Sequence, residues 1–170
     1  MLLPALSASL WRPRTFLGSG TKGMRMAISY NEPVTFGRHG TATSLNCTGI
    51  DFVEEGNQSW TTAPVAELDI QLPFARQDVV FELVASPFLV PGIVPAQKVF
   101  IFMSGTFVGF CVLTDHGGRT FPVHRSIVSG RVTRLSLVIP TATSPNSLHT
   151  GEDMRDLGIC LNSITFRTVT

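Results

Sequence analysis

The sequence predicts an all-β fold, a two-sheet antiparallel β-sandwich of the jelly-roll type with about eight strands and little helix. Three observations predict it. Apolar and polar residues alternate with a period of two in several runs. Eleven prolines, spread from Pro4 to Pro145, leave few windows in which helical spacing persists. Turn signals separate the runs at short intervals.

The elements follow in order. Ile28 to Phe36 reads as a first strand and Ser44 to Phe52 as a second, with Trp60 leading into a third at Val65 to Leu72. In that third run Ala66, Leu68, Ile70 and Leu72 share one side, Glu67, Asp69 and Gln71 the other, and Pro73 stops it. Asp78 to Ala85 comes next, with Val79, Phe81 and Leu83 facing opposite to Val80, Glu82 and Val84. Lys98 to Met103 and Thr106 to Leu113 are joined by Ser104 and Gly105 and read as a tight hairpin, because glycine accepts the positive φ such turns need. After the glycine-rich turn at Asp115 to Gly118, Arg119 to Val123 is a short strand that Pro122 confines to a sheet edge. Val132 to Ile139, closed by Pro140, precedes a loop of roughly fifteen residues at Thr141 to Asp156. Leu157 to Phe166 is the last strand. The expected core is Leu68, Ile70, Leu72, Val79, Phe81, Leu83, Val99, Ile101, Phe110, Val112, Leu135, Leu137, Ile159, Leu161 and Ile164.

Composition narrows the function. The chain has 170 residues, 44% apolar and 15% charged, enough for one domain with a complete core. A net charge of +1 supplies no long-range field for nucleic acid. No run of about 18 apolar residues is present, so no membrane span is expected. Cys47, Cys111 and Cys160 cannot all pair within the chain, and Cys111 and Cys160 lie in apolar runs, which suits buried free thiols in a reducing, cytoplasmic setting. Met1 to Leu10 is apolar but lacks the basic region and cleavage site of a secretory signal. Arg12, Arg14, Lys22 and Arg25 then stand among Gly18, Gly20 and Gly23. Residues 1–23 are therefore expected to be a flexible tail and 24–170 a single sandwich domain.

Four segments carry a resemblance. Gly49-Ile-Asp-Phe-Val-Glu-Glu-Gly-Asn-Gln-Ser-Trp60-Thr61, Ala66-Glu-Leu-Asp-Ile-Gln-Leu-Pro73 and Gln97-Lys-Val-Phe-Ile-Phe-Met-Ser-Gly-Thr-Phe-Val-Gly109 come first. The closing segment runs from Leu137 through Ser144-Pro145, Asp153-Met-Arg155 and Leu157-Gly158 to Phe166. In this order they resemble a β-sandwich module attached to, or encoded beside, bacterial glycosyltransferases and cell-surface polysaccharide proteins. Ser104 stands where that module tends to have Asn. His149 replaces an expected Gly, so the long loop is expected to change conformation there. The resemblance implies a galactose-binding-like sandwich and a non-catalytic, carbohydrate-binding-like role with a glycan or polysaccharide partner. It implies no cofactor.

Trp60 follows the polar run from Glu54 to Ser59. An indole can stack on the C–H face of a sugar while Glu54, Glu55 and Asn57 bond its hydroxyls. Alternatively, Trp60 plugs one end of the sandwich. Glu54 and Glu55 are adjacent, so on a strand they point to opposite faces and cannot flank one glycosidic bond. Asp153 and Arg155 either lock the long loop as a salt bridge or offer Arg155 to a ligand. His39, His116, His124 and His149 show no metal-binding spacing. Two rivals stand beside glycan binding. One is an interaction domain that docks on a glycosyltransferase or forms a homodimer through Phe102, Phe107, Phe110 and the Pro87 to Pro95 segment. The other is a sugar-ester hydrolase assembled from distant loops.

Overall fold

The computed structural model describes residues 27–52, 56–128, 130 and 132–169. The expected tail at 1–23 lies outside them. The strands are β1 (Val34–Thr35), β2 (Asn46–Thr48), β3 (Ile50–Asp51), β4 (Ser59–Thr61), β5 (Val65–Gln71), β6 (Val79–Pro87), β7 (Gln97–Met103), β8 (Thr106–Leu113), β9 (Gly117–Val123), β10 (Val132–Val138) and β11 (Ile159–Thr168). A six-stranded sheet has the order β3-β4-β11-β6-β9, with β1 also paired to β11; a five-stranded sheet has the order β2-β5-β10-β7-β8. All pairings between these strands are antiparallel. The all-β sandwich that the alternation predicts is the fold.

Alternate side chains of each long strand meet in the interior. Leu68, Leu135 and Met103 form one inner row of the five-stranded sheet, and Ala66, Leu137 and Ile101 the next. From the opposite sheet Phe81 lies between Phe166 and Phe121, with ring centroids 5.1 and 6.2 Å away. The edge position of β9, with Pro122 opposite Val80, follows the rule that a residue without an N–H stays out of the sheet centre.

The N-terminal strands are shorter than the sequence predicts. Asn31 takes a left-handed φ of 64°, which turns the chain and limits the expected Ile28–Phe36 strand to β1. The expected Ser44–Phe52 strand divides at Gly49 (φ 68°) into β2 and β3, which belong to different sheets. A Cβ at Gly49 would sit 2.4 Å from the Val65 carbonyl oxygen, so glycine is what permits this crossing.

Two expected core residues are not in the core. Phe110 and Val112 are 44% and 43% exposed, whereas Cys111 and Leu113 are buried. The hairpin turn at Ser104 and Gly105 forms as expected, with both residues at positive φ. Beyond it, Phe102 pairs with Phe107 but Ile101 pairs with Gly109, so Val108 is an extra residue in β8. A bulge of one residue turns every later side chain to the opposite face. It also seats Gly109 over Phe121, where a Cβ would lie 2.3 Å from the ring.

Ser104 and His149 occupy the left-handed region, with φ of 48° and 56°. At His149 this is a conformation that glycine adopts more readily than a residue with a Cβ. His149→Gly is expected to raise stability by about 0.5–1 kcal/mol by relieving this strain. Gly109→Ala is expected to lower it by about 1–3 kcal/mol because Phe121 must move. Urea unfolding of the two variants measures both.

Candidate functional site

The site forms along one edge of β11. On one side β11 pairs with β6 along its length; on the other it meets two short strands in succession. Cys160 and Leu161 pair with Trp60 and Ser59 of β4, and Ser163 and Ile164 pair with Thr35 and Val34 of β1. Asn162 falls in the gap, where the register of β11 shifts. Its carbonyl accepts a hydrogen bond from the Phe36 N–H at 3.0 Å.

Between the two short strands lies a cleft of about 490 Å³ lined by Pro33, Thr35, Phe36, His39, Gly40, Asn57, Asn162 and Ser163. That volume lies within the range of small-molecule sites, roughly 300–1,000 Å³. Two glycines let the 36–40 turn close one wall. A Cβ on Gly37 would lie 2.2 Å from the Gly56 carbonyl oxygen, and one on Gly40 2.3 Å from that of Thr35. The buried Ser59 hydroxyl fixes this wall by accepting from the Gly37 N–H at 2.9 Å. The lining thus includes two carboxamides, two hydroxyls and an imidazole, while the Phe36 ring is buried against Phe52 with centroids 6.3 Å apart.

Trp60 is half-buried on the same edge. It meets Phe88 edge to face at 6.2 Å and stands between Asp51 and Cys160 in the register. The Arg155 guanidinium donates to Asp51, and its Nε and Nη2 donate to Asp153 at 3.0 and 2.6 Å. The Arg155 N–H also reaches Asp153 Oδ1 at 2.9 Å. These contacts tie the long loop to Asp51 of β3. The hydrogen bonds from Arg155 hold the Asp153 carboxyl below its ordinary pKa of 3.8.

Of the residues singled out from sequence, Asn57 lines the cleft, while Trp60, Asp153 and Arg155 gather around Asp51. Glu54 and Glu55 lie outside the described residues. Sequence reasoning missed Thr35, His39, Asn162 and Ser163. One signal was present: Asn162 and Ser163 are consecutive polar residues between Leu161 and Ile164, where a regular strand would alternate.

Two serine–histidine contacts bear on hydrolase chemistry. Ser86 Oγ lies 2.9 Å from His116 Nδ1, and Ser126 Oγ lies 2.7 Å from His124 Nδ1, whose ring also approaches Asp78 at 3.8 Å. None of these residues lines the cleft at Asn162. His124 also accepts the Ser126 N–H at 3.3 Å, a local contact that caps the short helix Arg125–Val128.

No family model matches the chain, and no curated protein sequence matches it significantly. Solved structures do. It is similar to the CBM36-1 domain of a multidomain xylanase from the hindgut metagenome of Trinervitermes trinervoides, with a TM-score of 0.51 and 10% identity over 82% of this chain and 98% of that one. It is also similar to a β-1,3-glucan-binding CBM6 from Bacillus halodurans, with a TM-score of 0.50 and 14% identity over 84% of this chain and all (100%) of that one. At such identities the likeness shows the fold, the β-sandwich of carbohydrate-binding modules.

The depressed Asp153 carboxyl predicts a pH dependence. Its folded pKa is below the unfolded value, so its stabilising contribution is complete above that value and is lost as pH falls through the folded one. Thermal melts of wild type and Asp153→Asn should differ at pH 7 and converge in acid.

Proposed function

We propose that the chain is a non-catalytic carbohydrate-binding module that receives a neutral glycan in the cleft between β1 and β4. The observation that carries this reading is the lining of that cleft. Carboxamides and hydroxyls donate and accept without bringing a fixed charge, which matches sugar hydroxyls better than a phosphate or carboxylate. The described lining holds no Asp, Glu, Lys or Arg. The partly exposed Trp60, farther along the same edge, supplies an apolar surface for a neighbouring sugar. The fold shared with carbohydrate-binding modules supports the same reading, and the sequence resemblance supports a bacterial polysaccharide or glycosyltransferase setting. Titration calorimetry with neutral oligosaccharides, xylo-oligosaccharides and β-1,3-glucans included, tests it. Asn57→Ala should weaken binding about 5- to 30-fold, one lost hydrogen bond, with the fold unchanged. Absence of binding by wild type would refute the proposal.

A second reading rests on the outer face of β7 and β8. Phe107 and Phe110 are 56% and 44% exposed, and they pair with Phe102 and Phe100 at 5.5 and 4.7 Å. Leu89 and Ile93 are also exposed. Such a surface suits docking on a glycosyltransferase or a second copy of the chain. Under this reading Phe107→Ser with Phe110→Ser converts an associated species to monomer in analytical ultracentrifugation, or releases a co-purifying partner.

A further inference from the structure

The Asn162 carboxamide is a further distinctive feature of the cleft. Its Oδ1 is buried and has no hydrogen-bond partner among the described residues, while its Nδ2 makes only a long contact of 3.5 Å to Gln58 Oε1. Buried polar atoms in native proteins are nearly always paired, and leaving one unpaired is destabilising. Core strands ordinarily place an apolar side chain at such a point. Here the chain instead interrupts β11 with a register shift at this residue, and bulges of that kind re-aim side chains beside binding sites. The Asn162 side chain borders the same space as Thr35, His39, Asn57 and Ser163.

We propose that Asn162 is the specificity-determining residue of the cleft and that it takes its missing partner from one hydroxyl of a bound neutral sugar. This rests on the carbohydrate reading above. Oδ1 is sealed in the unliganded chain, so binding turns the carboxamide about χ2 to bring it to the cleft, where a hydroxyl, which both donates and accepts, satisfies it. An anion would be repelled by Oδ1 and would find no fixed positive charge among the described lining residues. A sugar lacking that hydroxyl would leave Asn162 unpaired in the complex, and the site would reject it.

The test pairs one substitution with a deoxy series. The probes are methyl glycosides of D-glucose, D-galactose, D-mannose and D-xylose, each with its monodeoxy derivatives, titrated into the full chain by calorimetry or NMR. Wild type should lose roughly 10- to 100-fold in affinity for one deoxy position, and Asn162→Leu should bind the parent sugar that much more weakly and ignore the same deletion. Without sugar, Asn162→Leu should melt at or above the wild-type temperature, because no protein hydrogen bond to Oδ1 is lost. A lower melting temperature would make Asn162 structural and overturn the inference. So would wild-type affinity in Asn162→Leu, and in both cases carbohydrate binding itself would stand. If wild type binds none of the glycosides and no longer neutral oligosaccharide, the carbohydrate reading fails and this inference with it.

Discussion

Backbone pairing along β11 is the constraint on which the rest depends. The last strand of the chain bonds to β6 on one side over nine partner pairs from Ile159 to Thr168. On the other side it is shared between β4 and β1, which enter from the N-terminal part of the sequence. Its inner residues Ile159, Leu161, Ile164 and Phe166 are fully buried, so the strand cannot slide without exposing them. The pairing is interrupted at the gap between the two short partners. There the register shifts, Asn162 is accommodated, and the cleft opens.

The two faces of the sandwich differ in what they leave unsatisfied. On the five-stranded sheet the charged positions of β5 and β10 are matched internally: Asp69 accepts from Arg134 at 3.0 Å and from Asn46 at 2.8 Å, and Glu67 accepts from Ser136 at 3.1 Å. What remains available there is apolar, at the phenylalanines of β7 and β8. On the six-stranded sheet the long loop is held by the Asp51–Arg155–Asp153 contacts, and what remains available is polar and neutral, at Asn57 and Asn162. The first suits a protein surface, the second a small neutral polyol.

The long strands were legible because their alternation is nearly uninterrupted, as in Ala66 to Leu72 and Val79 to Ala85. The hairpin was legible because Ser104 and Gly105 separate two apolar runs. Phe110 and Val112 were assigned to the wrong face because a bulge adds one residue without changing composition, and Val108 looks like any other strand residue. The short strands β1 to β4 have two or three residues each, too few to show a period. The cleft was only partly legible. Asn57 stood in a conspicuous polar run, but its companions Thr35 and Asn162 come from distant parts of the chain, and only strand pairing brings them together. The Arg155–Asp153 lock is local and was readable; its anchor Asp51 is 104 positions away and was not.

A crystal of the chain soaked with a neutral oligosaccharide addresses the central claim most directly. The account predicts a sugar ring seated between Thr35 and Asn57, with one hydroxyl within about 3 Å of the Asn162 carboxamide. Sugar bound on the phenylalanine face of β7 and β8, with the Asn162 cleft left untouched, would contradict it.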